Sequence, residues 1–190
     1  LAVGESRSGT SVYGAADPIP VGVADLSELV EGKPRGLVTS KLKWEKLESE
    51  DFERLIFSLV SSESGYENPE WLTRTNAPDR GRDISVYRVV NDPLAGVLRS
   101  RVILQCRHWL SKSINVADVK TLEGQMTLWE PPKINVLTIT TSGRFSEDAI
   151  QYIERKNQSG DPLRIEMWPE SHIERLLASR PALIAEFGLR

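Results

Sequence analysis

The sequence predicts an α/β domain: a mixed central β-sheet with helices on both faces. Three observations lead there. Trp44, Leu47, Phe52, Leu55, Ile56, Leu59 and Val60 recur at three- and four-residue spacing, which gives a helix one apolar face. Compact runs rich in β-branched residues follow at Ile84 to Val90, Arg101 to Cys106 and Ile134 to Thr140. Helical stretches separate the later runs, so the order is one helix, a run of strands, then αβαβα.

Residues 1–40 are rich in Gly, Ser, Pro and small side chains and read as an extended or poorly ordered lead-in, with at most a helical turn from Asp25 to Val30. The globular domain is expected over 41–190. Ser49 is the expected N-cap of the first helix, with Glu50, Asp51 and Glu53 near its N-terminus and Gly65 ending it. Strands are expected at Trp71 to Thr75 and Ile84 to Val90, with a turn over Asn91 to Gly96. Arg101 to Cys106 is nearly continuous in apolar character, as in the middle of a sheet. Asn115 should cap a helix running to Trp129, stopped by Pro131 and Pro132. Ser146 should cap another, with Phe145 and Ile150 as a hydrophobic staple. After a strand at Leu163 to Trp168, Ser171 and Glu174 read as a capping box, and Pro181 opens a last helix that stops at Gly188.

The chain has 190 residues, with 39% hydrophobic and 27% charged content, ordinary for a globular protein with a full core. No apolar run approaches the ~20 residues needed to span a bilayer, and no secretion signal is evident. One cysteine and two histidines exclude a disulfide framework and a conventional zinc site, and point to a reducing, cytoplasmic setting. The opening Leu1 reads as the start of a piece of something longer. The net charge of −3 argues against wholesale electrostatic binding to DNA. Charge is uneven, however: Arg74 to Lys112 carries eight basic and three acidic residues. That stripe suits phosphate contacts, or simply forms a solvated edge.

Within it lie the residues that carry chemistry. Asp79-Arg80-Gly81-Arg82-Asp83-Ile84 opens one strand with an acid, and Val102-Ile103-Leu104-Gln105-Cys106-Arg107-His108-Trp109 closes the next with a Gln-x-basic triplet. Adjacent strands can bring Asp83 and Gln105 within reach of one divalent cation. With Phe52-Glu53-x-Leu55, Gly65-Tyr66, Thr140-Thr141-Ser142 and Phe145-Ser146-x-Asp148-Ala149 in the same order, the stretch from Trp44 to Ala178 resembles the Mrr-like restriction endonuclease domain of the PD-(D/E)xK nuclease superfamily. The resemblance implies a restriction-endonuclease-like fold and metal-dependent hydrolysis of DNA in restriction or anti-phage defence.

It also implies roles by position. Asp83 is the metal-ligating carboxylate, Gln105 offers its side-chain oxygen beside the Cys106 backbone carbonyl, and Glu53 contacts the metal through water. Mg²⁺ suits such an oxygen site, with Mn²⁺ as a substitute. Each residue also has a plainer reading. Glu53 could be a dipole-favoured acid on a helix shoulder, Asp83 a turn residue, Cys106 a small buried hydrophobe. Asp79 rivals Asp83 but sits in a turn-like setting. A buried Gln105 must find partners.

Arg107 departs from the family, which has lysine there. Guanidinium cannot release a proton near neutral pH, although it can clamp a phosphate. Lys112 is a second source of an ammonium. Arg80, Arg82, Arg107, His108 and Lys112 are the expected DNA contacts. The expected partners are DNA, a homodimer or higher oligomer, and a sensor domain on a longer chain. Two rivals to a working nuclease stand: a silent nuclease fold that binds DNA or serves assembly, and an effector switched on by a sensor domain.

Overall fold

The computed structural model describes residues 41–72 and 83–190. They all lie in the second of the two units of the chain, Leu37–Arg190. The expected lead-in over 1–40, and Arg74, Asp79, Arg80 and Arg82, lie outside the described residues. The fold is the expected one. Helix α1 (Ser49–Ser61) is followed by strands β1 (Tyr66–Leu72), β2 (Asp83–Asp92) and β3 (Gly96–Arg107). Helix α2 (Val116–Gln125), β4 (Val136–Thr141), α3 (Glu147–Gln158), β5 (Arg164–Trp168), α4 (Glu170–Leu177) and α5 (Pro181–Glu186) complete it.

The sheet order is β1-β2-β3-β4-β5. The first three strands are antiparallel, with Ile84 opposite Leu104 and Asp92 opposite Gly96. β4 and β5 then add in parallel, Cys106 lying beside Thr140 and Thr140 beside Trp168. Parallel pairing needs crossovers, which α2 and α3 supply.

Two apolar clusters sandwich the sheet. On one face Phe52, Leu55, Ile56 and Leu59 of α1 pack with Ile84, Val86, Val102, Leu104 and Cys106, and with Ile173 and Ile184 of α4 and α5. On the other, Val119 and Leu122 of α2 and Ala149 and Ile153 of α3 pack with Ile103, Leu137, Ile139 and Ile165. A strand alternates its side chains, so β3 feeds both clusters.

Several boundaries differ from the sequence reading. β1 begins at Tyr66, earlier than expected, because a bulge between Glu67 and Glu70 with Asn68 at φ 51° accommodates Pro69 in an edge strand. Gly65 does not end α1; its carbonyl accepts from the Val89 amide at 2.9 Å. The N-cap of α1 is Glu48 rather than Ser49, with the Asp51 carboxylate accepting from the Glu48 amide at 3.4 Å. β2 and β3 run on to a tight hairpin, where Asp92 accepts from the Leu94 and Ala95 amides at 2.8 and 2.7 Å and Gly96 takes φ 80°.

Asn115 caps α2 as expected, but the helix tightens to a 3₁₀ turn from Met126. Ser171 and Glu174 make no capping box. Glu174 instead accepts from the Leu42 amide and the Trp44 indole, both at 3.3 Å, pinning the start of the domain to α4.

One close approach is decisive for the sheet's C-terminal end. A Cβ on Gly143, just after β4, would lie 2.3 Å from the Trp109 carbonyl oxygen, while one on Gly124 in α2 would meet nothing within 4 Å. Gly143→Ala is therefore expected to cost about 1–3 kcal/mol through forced backbone displacement. Gly124→Ala is expected to be neutral or stabilising by up to ~1 kcal/mol. Urea unfolding of the two variants beside the natural chain checks both, and equal midpoints for the two would show that the loop after β4 yields freely.

Candidate active site

β3 delivers the triplet to the end of the sheet where its neighbours β2 and β4 run in opposite directions. Leu104 and Cys106 point toward α1, so alternation turns Gln105 and Arg107 to the α2 and α3 side. Gln105 is 1% exposed, and among the described residues neither its amide oxygen nor its amide nitrogen has a hydrogen-bond partner. A buried amide requires partners, and leaving one unmet costs about 1–3 kcal/mol. Its backbone carbonyl is satisfied, accepting from the Thr140 hydroxyl at 3.3 Å.

Asp83 is the first residue of β2. Its backbone is described; its side chain lies outside the description. The ladder pairs Ile84 with Leu104, so the same register carried one step further sets the Asp83 backbone opposite Gln105. Glu53 is 8% exposed and rises from α1, the helix packed on the face that bears Cys106. Cys106 is 6% exposed and behaves as the small hydrophobe that its setting suggested.

The Arg107 guanidinium donates from Nη1 to the Cys106 carbonyl at 2.9 Å. It thus folds back on the carbonyl expected beside the metal. Lys112 is held elsewhere: its ammonium sits 3.7 Å from the centre of the Trp109 ring and 3.2 Å from Asp118 Oδ1. Among the described residues no group of three or more His, Cys, Asp or Glu is placed to hold a metal. The donor set fits a cation in one respect. The Gln105 oxygen, without a partner among the described residues, is a hard neutral ligand of the kind that Mg²⁺ accepts.

The basic stripe looks different in the fold. Arg101 is 8% exposed and donates to the Trp129 carbonyl at 2.8 Å and to the Pro132 carbonyl. Arg88 makes a two-pronged pair with Glu166, at 2.8 and 2.7 Å. Its hydrogen bonds to Glu166 drive the Arg88 pKa up against the opposing effect of burial. Burial works to raise the Glu166 carboxyl, yet the bonds and charge of Arg88 hold it below its ordinary value. Arg99 pairs with Glu67 at 3.1 Å. Arg88 and Arg101 are thus held by groups of the fold, whereas the Arg99 side chain is 61% exposed; Arg80 and Arg82 lie outside the described residues. The Arg88–Glu166 pair was not singled out in the sequence. The one signal for it was an acid inside the otherwise apolar run from Ile165 to Trp168.

His108 stacks on Phe52 with ring centres 5.4 Å apart. Both ring nitrogens are buried without a hydrogen bond of normal geometry, although the Leu47 backbone lies close enough to favour the charged form. Neither nitrogen is open to a phosphate in this arrangement. Burial is the larger influence and lowers the imidazole's pKa; His172 is lowered in the same way. A histidine with a folded pKa below its unfolded value near ~6.5 binds fewer protons when folded. Stability should therefore be full above that pH and fall as pH drops through it. Urea midpoints measured from pH 7.5 to 5 should decline, and His108→Phe, which keeps the stack, should flatten the decline. A slope unchanged in His108→Phe and removed in His172→Phe would assign it to His172 alone.

No helix among the described residues is long and apolar enough to cross a membrane. Comparison with curated proteins and with solved structures gave no match. The Mrr catalytic-domain family model, described as Restriction endonuclease, matches residues 44–177, well over half of the chain. That span runs from the buried Trp44 to Leu177 at the end of α4, and so takes in the whole sheet and the β3 triplet. With the five-stranded mixed sheet and its two helical layers, this establishes that the chain belongs to the Mrr-type restriction endonuclease family and carries a nuclease-type domain.

Proposed function

We propose that this domain hydrolyses DNA phosphodiester bonds with a divalent metal, Mg²⁺ or Mn²⁺, held near Asp83 and Gln105, and that it serves restriction or another anti-phage defence. The observation that carries the reading is Gln105, an amide buried on a central strand without a hydrogen-bond partner among the described residues. Directly opposed positions of an antiparallel pair share a face, which favours Asp83 as its co-ligand. A bound metal would supply an activated water and offset charge on the phosphate.

The chain's own residues do the rest. Gln105 offers its oxygen without adding charge, and Asp83 supplies the carboxylate. Glu53 would reach such a metal through water only past the end of the strands, since α1 covers the face opposite Gln105. Arg107, released from the Cys106 carbonyl, would clamp a phosphate oxygen and stabilise charge in the transition state. Because guanidinium keeps its proton, it orients water less well than an ammonium would. Arg80 and Arg82 would bind the backbone in a salt-sensitive, largely sequence-independent way.

A second reading is favoured by the same Arg107 contact. A guanidinium resting on the carbonyl next to the metal position suits a silent nuclease fold that binds DNA within a larger assembly.

Supercoiled plasmid with Mg²⁺ or Mn²⁺ separates the two. The active reading expects nicking that Asp83→Ala reduces to background and Arg107→Ala lowers by roughly a hundredfold, while Arg107→Lys increases it. Calorimetric titration with Mn²⁺ should show binding weakened by Asp83→Ala. The silent reading expects no nicking by any variant, with DNA binding still falling in Arg107→Ala. Cleavage unaffected by both alanine variants would defeat the proposal.

Charge reversal at Arg80, Arg82 or Arg107 should weaken DNA binding about tenfold, or ~1.4 kcal/mol. The same change at Arg155 or Arg175, on α3 and α4, should have little effect. Equal losses in filter-binding assays would remove the basic residues of this segment from the argument.

A further inference from the structure

A cavity of about 260 Å³ lies on the α1 face of the sheet, lined by residues of α1, β1, β2, β5 and α4 and by Arg180. It far exceeds the ~30 Å³ that a water occupies and falls just short of the ~300–1,000 Å³ of clefts for drug-sized ligands. That is room for one ring system. The lining suits a flat one: Tyr66, Trp168 and His172 contribute aromatic rings, and Leu59 and Leu176 apolar surface. From the strands come Arg88 and Glu166.

The Arg88–Glu166 pair is unusual in this position. It spans the sheet from β2 to β5 on the face that carries the α1 cluster and the buried Thr138 of β4. The Arg88 side chain keeps 26% and Glu166 20% of its surface in water, so the pair adds little to stability. Its geometry also leaves recognition capacity. Arg88 gives Nε to the Tyr66 hydroxyl at 3.2 Å and one N–H from each terminal nitrogen to Glu166. The second N–H on each terminal nitrogen has no partner among the described residues. Glu166 Oε2 also accepts from the Thr138 hydroxyl at 3.5 Å, while Oε1, with Arg164 Nε 3.9 Å away, keeps a lone pair for a further bond. Donors and acceptors side by side match the amide-like edge of a heterocycle, and the aromatic lining matches its faces.

We propose that this cavity is a binding site for a single purine or pyrimidine base, read along its edge by Arg88 and Glu166. The base would come from a free nucleotide or from a nucleotide extruded from DNA; the chemistry of recognition is the same for both. The proposal goes beyond the nuclease reading, and its test involves no cleavage, so either can fail without the other.

The test follows the Trp168 indole and His172 ring signals by NMR in the full chain. One arm titrates adenosine, guanosine, cytidine and thymidine monophosphates; the other titrates a short duplex with one mismatched pair. Saturable shifts at Trp168 are expected in at least one arm. Shifts from a mononucleotide identify a free-nucleotide site, and shifts from the mismatch duplex alone identify an extruded base. Leu176→Trp, which fills the cavity and leaves the ion pair in place, should abolish them. Glu166→Gln should weaken binding at least tenfold, and circular dichroism on both variants establishes that they fold. No saturable shift in either arm up to millimolar ligand, or shifts that survive Leu176→Trp, would overturn the proposal.

Discussion

Val102, Leu104 and Cys106 point into one apolar cluster while Ile103, between them, points into the other. Burial of β3 on both faces is thus the constraint on which the remaining structure depends. A slip of one residue would exchange the two sets: Gln105 would enter the α1 cluster and Cys106 would take its place. The parallel pairing with β4 and the antiparallel pairing with β2 both read from this register. So does the position of Asp83, whose strand is anchored by Ile84 against Leu104. The close approach of Gly143 to Trp109 and the stacking of His108 on Phe52 then fasten the strand's end to β4 and to α1.

Much of this was legible in the sequence because burial writes itself as periodicity. The α1 stripe, the apolar run of β3 and the caps at Asn115 and Ser146 depend on local pattern and short-range hydrogen bonds. What pattern could not supply was pairing at a distance. Glu174 looked like a cap because it stands three residues after Ser171; its true partners, Leu42 and Trp44, lie far off in the chain. Pro69 lies inside β1, where the edge position of that strand makes it acceptable. The basic stripe misled in the same way. Counting charges from Arg74 to Lys112 could not reveal that Arg88 meets Glu166 or that Arg101 turns inward to Trp129 and Pro132.

The candidate site shows a similar division. Gln105 stood out as a polar residue in an apolar run, and the fold buries it without a hydrogen-bond partner among the described residues. Arg107 stood out as a departure from lysine, and its bond to the Cys106 carbonyl gives it a resting place. Lys112 was attractive as a nearby ammonium until Trp109 and Asp118 claimed it. Glu53 was placed by the helix motif, which says nothing about which face of the sheet α1 covers.

The two ends of β3 have opposite surroundings. Arg101 to Cys106 is buried throughout, whereas the stretch from Gly96 to Arg99 is exposed and β4 pairs only from Val102 onward. The outer stretch therefore pairs its backbone with β2, with the exposed Arg99–Glu67 ion pair to β1 beside it. The hairpin's apolar side chains Val90, Leu94, Val97 and Leu98 are half or more in water. Little apolar burial opposes opening there, so its amide protons should trade with solvent far sooner than those around Gln105. One continuous strand thus holds two local stabilities. The hairpin tip can open and close while the register that positions Gln105 stays intact.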